Sequence, residues 1–189
     1  MAVHSPAWPR PAAPAPADNA LAAAACAHAL NIEVSDIVIG LENARPAKGR
    51  LNSQILGMHR LIDDTYNANP HSVRAAAKVL AAQTGTQVMV LGDIGELGEA
   101  AISEHQSLGR TIATTGINVL LCVGEYAPYT VAGAQEVSDI SAHAFADKDS
   151  LLQYLQPYLQ AQQAKPCTVL FKGSRSMGME TLIHALVEE

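Results

Sequence analysis

Apolar and polar residues follow one another along most of this chain in a pattern that predicts strands and helices in turn. Short apolar runs of strand length recur, and each is followed by a stretch in which apolar residues return at helical spacing. The predicted strands are Met58–Ile62, Thr86–Leu91, Asn118–Val123, His143–Phe145 and Thr168–Phe171. The predicted helices are Ser72–Ala82, Ile102–Thr115, Pro128–Gln135, Lys148–Gln162 and Met177–Val187.

This alternation predicts an α/β fold whose sheet is doubly wound and mostly parallel, with flanking helices. Strands that alternate with helices are joined by right-handed crossovers, which leave neighbouring strands parallel. The runs Val88–Leu91 and Leu120–Val123 contain only apolar residues. Strands of this kind are typical of a sheet that is covered by helices on both faces.

The segment before the first strand has a different character. Prolines interspersed with alanine between Pro6 and Pro16 predict a disordered leader over residues 1–17, which could alternatively act as a docking peptide. Asp18 is the predicted cap of an Ala-rich helix, Asn19–Leu30. A second helix is predicted at Ser35–Glu42.

A hinge or linker is predicted over residues 44–52, where Pro46 and Gly49 interrupt any regular pattern. The two helices before it have no sheet of their own to cover. We therefore expect residues 18–48 to lean on another domain, and residues 49–189 to form the α/β domain.

Composition narrows the classes of function. The net charge of -6 argues against a nucleic-acid partner. No apolar run reaches membrane length, and residues 1–17 lack the apolar core of a secretory signal, so we expect neither a membrane span nor export. Cys26, Cys122 and Cys167 lie in apolar or Ala-rich segments without metal spacing, which predicts reduced core cysteines in a cytoplasmic protein.

The densest polar cluster follows the first predicted strand, at Asp63–Pro70. Asn69 and Pro70 suit the cap and the first position of the next helix. A carboxylate at this turn can accept hydrogen bonds from both hydroxyls of a ribose. The alternative is that Asp63 or Asp64 caps local backbone.

Other polar or glycine-rich turns follow the remaining strands at Gly92–Gly98, Gly124–Glu125 and Lys172–Ser176. Ligands of such sheets bind beyond the carboxyl ends of the strands, so these turns predict one shared site. Gly92–Gly98 could cradle a phosphate, but it has the spacing of neither a dinucleotide fingerprint nor a P-loop, and a tight turn is the alternative. His105, in the helix that follows, could carry a proton or serve as a capping or packing residue.

The turn after the last strand combines cationic and hydroxyl groups. Lys172 and Arg175 supply charged donors, and Ser174 lies with them just before a helix. This combination favours a bound carboxylate or phosphate, although a solvated charged turn would have the same composition.

From Asn19 to Glu189 the chain resembles the Mur ligase family of peptidoglycan synthesis. The matching stretches occur in the order of the family pattern: Asn19–Ala24, Gly49–Leu51, Leu61–Pro70, Val90–Gly98, His105 and Lys172–Glu180. The resemblance implies a Rossmann-like C-terminal domain, which closes over ATP and brings in the incoming substrate, preceded by the last two helices of a central ATPase domain. The turn at Asp63 resembles the members that add D-alanyl-D-alanine to UDP-N-acetylmuramoyl-tripeptide, using ATP and Mg²⁺.

The resemblance also implies roles for individual residues. Residues matching the nucleotide site would be Arg50, which reaches the nucleotide, Asp64, which holds its ribose, and Tyr66, Asn67 and Asn69 in the same turn. Residues matching the place of the dipeptide would be Lys172, Ser174 and Arg175.

The chain departs from the family pattern in one respect that affects catalysis. No G-x-x-x-x-G-K-[ST] motif occurs in it, so the family's phosphate cradle and Mg²⁺-binding hydroxyl are absent from this sequence. We expect a truncated ligase whose partners are the missing N-terminal and central domains, and which is inactive alone because phosphoryl transfer depends on that cradle. A stand-alone module that binds nucleotide or dipeptide, and an interaction protein that keeps only the fold, are the alternatives.

Overall fold

The computed structural model describes residues 14–44, 47–162 and 164–188. The chain divides into two compact units, Met1–Arg45 and Pro46–Glu189. The predicted leader falls mostly on residues 1–13, which lie outside the described residues. Among the described helices, none is long and apolar enough to cross a membrane.

The first unit contains two helices, α1 (Pro14–Ala29) and α2 (Val34–Asn43). Helix α1 begins at Pro14, so the predicted cap at Asp18 is wrong and residues 14–17 are helical. Asn31 has a φ of 57°, a left-handed conformation that Asn tolerates, and its N–H donates to the carbonyl of His28 where the helix ends. Cys26 is exposed, contrary to the prediction that it is a core residue.

The second unit is built on a sheet whose strands, in the described residues, are β1 (Asn52–Leu56), β2 (His59–Asp63), β3 (Thr86–Gly92), β4 (Val119–Val123), β5 (Ser141–Phe145) and β6 (Cys167–Lys172). Their order across the sheet is β1-β2-β6-β3-β4-β5. Strand β1 runs antiparallel to β2, and all other neighbours are parallel. The predicted mostly parallel sheet is confirmed.

Strand β1 begins at Asn52, the last residue of the predicted linker, and the sequence predicted no strand over its length. Its side chains are mostly exposed, because it is an edge strand with only Ile55 and Leu56 apolar. It forms a hairpin with β2 through Gly57, whose φ is 58°. An exposed edge strand of this kind lacks the apolar run from which the others could be predicted.

Helices cover both faces of the sheet. On one face, apolar residues of α3 (Pro70–Ala81), α4 (Ala101–Ala113) and α5 (Ala127–Gln135) pack against strand residues such as Met89 and Leu120. On the other face, α6 (Lys148–Ala161) and α7 (Glu180–Val187) pack against their strand neighbours, including Val90 and Leu121. Successive strand residues thus pack into cores on opposite faces of the sheet, as predicted from strands that contain only apolar residues. Cys122 and Cys167 lie in these cores as expected.

The site region is set by the position of β6. This last strand lies between β2 and β3, and it is followed by α7 on the face opposite to α3, which follows β2. Neighbouring strands whose connections leave on opposite faces create a crevice at their carboxyl ends. The turn after β2 and the turn after β6 therefore face one another.

Candidate functional site

The turn between β2 and α3 is shaped by its own polar side chains. Asp63 Oδ1 accepts hydrogen bonds from the backbone N–H of Thr65 at 3.1 Å and from its hydroxyl at 2.7 Å. Asn69 caps α3 by accepting from the N–H of Ser72 at 2.8 Å, and Pro70 is the first residue of the helix, both as predicted. These bonds leave Tyr66 at the tip of the turn, 50% exposed.

Asp64 points inward, to Lys172 at the end of β6. Its Oδ2 lies 2.6 Å from the ammonium, and the two side chains are only 15% and 3% exposed. Burial raises the pKa of Asp64, although the ammonium and a hydrogen bond from the backbone of Leu51 act in the opposite direction. The pair joins β2 to β6 at the crevice.

Asn67 forms a second link between the same two turns. Its carbonyl accepts from the Lys172 ammonium at 3.0 Å, and its Oδ1 accepts from the backbone N–H of Arg175 at 3.3 Å. The same Oδ1 accepts from the N–H of Ala68 at 2.8 Å. The Asn67 side chain is therefore engaged within the protein.

Ser174 joins the turn after β6 to the turn after β3. Its N–H donates to the carbonyl of Asp93 at 3.0 Å, and its hydroxyl oxygen accepts from the N–H of Gly95. Asp93 continues the network, because its Oδ1 accepts from the N–H of Tyr126 after β4 at 3.1 Å. Burial raises the pKa of Asp93, while hydrogen bonds from Tyr126 and Glu125 oppose that rise. Hydrogen bonds thus connect the turns after β2, β6, β3 and β4, and the predicted convergence on one edge is confirmed.

His105 supports the turn after β3 from within the core. Its Nε2 accepts from the N–H of Ile94 at 3.1 Å, so Nδ1 carries the proton that goes to the carbonyl of Ala101 at 2.7 Å. The ring also stacks on Tyr126, 4.8 Å between centroids. Of the two roles considered for His105, the packing role is confirmed.

Arg50 lies against the exposed tip of the β2–α3 turn. Its guanidinium carbon is 4.4 Å from the centroid of the Tyr66 ring, a cation–π arrangement. The N–H of Tyr66 donates to the carbonyl of Gly49 at 2.9 Å. Gly49 has a φ of 73° and Leu51 a φ of 51°, so a strained turn holds Arg50 over the ring.

The Arg50 guanidinium and the Tyr66 ring together form a platform. A cleft of about 380 Å³ opens beside it, and the residues that line the cleft are Lys48, Gly49, Asp63, Thr65, Tyr66, Arg175 and Glu180. Arg175 is 61% exposed and its Nη2 lies 2.6 Å from Glu180 Oε1. Partial burial favours the neutral form of Glu180, but hydrogen bonds from Arg175 and from its own backbone hold its pKa below the ordinary value. The cleft therefore presents both cationic and anionic groups.

The predicted site residues occupy four kinds of position around this cleft. Tyr66 and Arg175 line it, and Arg50 covers the Tyr66 ring. The side chains of Asp64, Asn67, Lys172 and Ser174 bond to neighbouring turns, and Asn69 caps α3. Their roles toward ligands stay predictions.

Of the residues that line the cleft, sequence reasoning did not name Lys48, Gly49, Thr65 and Glu180 as site residues. It considered that Asp63 or Asp64 could cap local backbone, and Asp63 does so by accepting from the N–H of Thr65. Arg175 and Glu180 are five positions apart, a spacing at which helical periodicity predicts no contact, so the sequence carried no signal of their ion pair. Within the residues that the structure describes, no group of His, Cys, Asp and Glu side chains is arranged to hold a metal ion.

Comparison with known proteins identifies the family of this domain. The sequence profile of a domain family described as "Mur ligase, glutamate ligase domain" matches residues 49–175, more than half of the chain. The chain belongs to the Mur ligase family. The matched span includes the cleft-lining residues from Gly49 to Arg175.

Curated relatives within the Mur ligase family include the UDP-N-acetylmuramoyl-tripeptide–D-alanyl-D-alanine ligases of Escherichia coli and Buchnera aphidicola. The first is 39% identical over 171 residues and the second 37% identical over 174 residues. Each alignment covers 90% of this chain and 36% of the relative. The chain thus spans little more than a third of the length of the curated relatives it matches.

Solved Mur ligase structures show the same fold. MurF from Acinetobacter baumannii superposes with a TM-score of 0.85 at 46% identity, over 92% of this chain and 37% of that one. MurF from Thermotoga maritima, solved in complex with ADP, gives a TM-score of 0.71 at 22% identity, over 87% of this chain and 36% of that one. The second likeness concerns the fold alone.

Proposed function

We propose that this chain is the C-terminal part of an ATP-dependent ligase that adds D-alanyl-D-alanine to UDP-N-acetylmuramoyl-tripeptide in peptidoglycan synthesis. The observation that carries the proposal is the cleft at the carboxyl edge of the sheet, where Arg50 lies over Tyr66 and Arg175 faces them. The relatives named for this reaction support it, because each is aligned with 90% of this chain. In the complete enzyme the partners of this chain would be the N-terminal and central domains.

The nucleotide would bind against the platform formed by Arg50 and Tyr66. A flat aromatic ring that is half exposed can stack on a purine base, and a guanidinium next to it adds favourable charge for a phosphate. Asp63 uses only Oδ1 for the turn, so Oδ2 is available for a ribose hydroxyl. Asp64, the carboxylate predicted for the ribose, lies beside Asp63 in the same turn, where Lys172 and the backbone of Leu51 bond to it. Asn67 and Asn69 keep the turn in shape. These groups fit an adenosine nucleotide.

The carboxylate of the dipeptide would bind at Arg175. Its guanidinium is largely exposed, and its pairing with Glu180 uses Nη2 and leaves other N–H donors free to form charge-assisted hydrogen bonds. Ser174 and Lys172 would contribute by fixing the turn that carries Arg175, since both bond to neighbouring turns. The zwitterionic dipeptide would find an anionic partner in Glu180.

ATP supplies the activation of the acceptor carboxylate in such a ligase, and Mg²⁺ is expected in the complete enzyme. The residues described here would bind and orient the nucleotide and the dipeptide. They contain no phosphate cradle of the G-x-x-x-x-G-K-[ST] type. We therefore expect this chain to bind nucleotide without hydrolysing it. ATP turnover by the purified chain would contradict this part of the proposal.

The direct test is calorimetric titration of the full chain with ADP, comparing the wild type with Tyr66→Ala. Loss of the stacking ring should weaken ADP binding about tenfold, since base–aromatic stacking contributes roughly 1–3 kcal/mol. Tyr129→Ala is the matched control, because Tyr129 is 37% exposed and lies on α5 outside the cleft. ADP binding that is undetectable at millimolar concentration, or equal in both variants, would contradict the proposal.

A further inference from the structure

Lys172 has no donor left for a ligand. An ammonium carries three N–H groups. They go to Asp64 Oδ2 at 2.6 Å, to the carbonyl of Asn67 at 3.0 Å and to the carbonyl of Asp64 at 3.4 Å. The side chain is only 3% exposed, so the charge is neutralised and covered by the β2–α3 turn itself.

We propose that Lys172 is a positioning residue, which holds the β2–α3 turn in its nucleotide-binding shape through Asp64 and Asn67 and does not contact the dipeptide. This inference rests on the proposed function, because it concerns the same cleft. It separates Lys172 from Arg175, whose guanidinium is exposed at the cleft. The two cations of one turn thus have different roles.

The bonds of Asn67 show how loss of the Lys172 ammonium would affect the binding of both ligands. Asn67 follows Tyr66 in the chain and accepts from Lys172 through its carbonyl, while its side chain accepts from the N–H of Arg175. Loss of the ammonium would free the turn that carries Tyr66 and also release a support of the backbone at Arg175. Because both ligand positions depend on the same turn, we expect their affinities to be coupled.

A double-mutant cycle tests this assignment. ADP and D-alanyl-D-alanine would each be titrated into the wild type, Lys172→Met, Asp64→Asn and the double variant, all as the full chain. Lys172→Met should weaken ADP binding about tenfold, inside the usual range of coupling between sites. In the Asp64→Asn background the same change should have a smaller effect than in the wild type, because the ion pair is already gone and the bond to the carbonyl of Asn67 is what remains to be lost.

Two results would overturn the inference. One is a Lys172→Met variant that binds ADP as the wild type does but loses dipeptide affinity. The other is a loss of dipeptide affinity from Lys172→Met that is equally large in the wild-type and Asp64→Asn backgrounds, which would indicate direct contact. Lys148→Met is the matched control, since Lys148 also donates to three oxygens, those of Met177, Gly178 and Thr181, without touching the β2–α3 turn. It should leave ADP affinity unchanged.

Amide hydrogen exchange separates failure of this inference from failure of the proposed function. The N–H of Ala68 is bonded within the turn, to Asn67 Oδ1, and the N–H of Tyr66 joins the turn to the carbonyl of Gly49, so both report the order of the turn without any ligand. Lys172→Met should raise their exchange rates, whereas Lys148→Met should not. Unchanged exchange rates in Lys172→Met would overturn the positioning role. Slow exchange at these N–H groups in a wild type that binds no ADP would overturn the proposed function alone.

Discussion

The backbone N–H of Tyr66 donates to the carbonyl of Gly49 across 2.9 Å, so the segment before the sheet is attached to the turn after β2. Gly49 has a φ of 73°, and a side-chain carbon at that position would lie 2.9 Å from the Tyr66 nitrogen. Only glycine adopts this positive φ without strain and also leaves room for the Tyr66 nitrogen. The stacking of Arg50 on Tyr66 therefore depends on a residue that makes no ligand contact through a side chain.

Gly49→Ala should lower both the stability of the chain and its affinity for ADP. The left-handed backbone alone costs about 1–2 kcal/mol for an alanine, and the contact with Tyr66 adds to this cost. Gly57→Ala is the control, because Gly57 has a φ of 58° but open space around it. Urea denaturation should show a loss for both variants, whereas calorimetry should show weaker ADP binding for Gly49→Ala only. Equal ADP affinities would remove Gly49 from the site.

The sheet and most of its helices could be predicted because apolar periodicity is a local property. The strand at Val88–Leu91 and the cap at Asn69 are examples in which a few neighbouring residues determine the outcome. Strand β1 could not be predicted in this way, because an exposed edge strand places few apolar residues in a core. The α1 boundary was missed because alanine and proline before Asp18 suit an extended leader and a helix start alike.

The position of the candidate site was predictable, but its internal pairing was not. Ligand sites of parallel sheets lie at the carboxyl ends, and the polar turns could be read from the sequence. The Asp64–Lys172 bond joins residues that are 108 positions apart, and it depends on β6 lying next to β2 in the register Asp63 to Phe171. No local pattern contains that register, so the sequence suggested ligand roles for both residues.

Removing one charge of the buried Asp64–Lys172 pair should lower the stability more than removing both charges. Lys172→Met leaves the Asp64 carboxylate buried without its partner, and we expect a loss of about 3–5 kcal/mol in the free energy of unfolding. Asp64→Asn with Lys172→Met removes both charges and should be less destabilising than Lys172→Met alone. Urea denaturation of the four proteins measures this coupling. A double variant whose loss equals the sum of the single losses would show that the pair is not coupled.

Arg175→Ala should reduce affinity for D-alanyl-D-alanine with little change in stability. The guanidinium is 61% exposed, and exposed ion pairs contribute only about 0–1 kcal/mol to folding. A charge-assisted bond to a ligand carboxylate is worth roughly 1.5–3 kcal/mol, so dipeptide affinity should fall at least tenfold.

Arg110→Ala provides the control for Arg175, since Arg110 pairs with Glu136 at the same 2.6 Å and is also partly exposed. Thermal unfolding should place both variants within a few degrees of the wild type. Dipeptide titration should then distinguish them, because Arg110 lies on α4 and does not line the cleft. Dipeptide affinity that falls equally in both variants, or in neither, would rule out Arg175 as the carboxylate ligand.

Acidification should destabilise the chain through His59, which lies at the end of the sheet opposite to the cleft. The ring is 7% exposed, and its Nδ1 accepts from the N–H of Cys167 at 3.1 Å. Burial lowers the pKa of His59 in the folded protein, although a hydrogen bond to the backbone of Leu159 opposes the shift. The neutral ring is therefore favoured by folding, and its contribution to stability is complete above the ordinary pKa of about 6.5 and is lost as the pH falls through the lower, folded value.

His59→Asn keeps an acceptor near the position of Nδ1 but does not titrate, so the free energy of unfolding should fall less between pH 7.5 and pH 5.5 in this variant than in the wild type. His184→Asn, at an exposed position of α7, should retain the wild-type slope. Identical slopes in the wild type and His59→Asn would show that another group is responsible for the acid sensitivity.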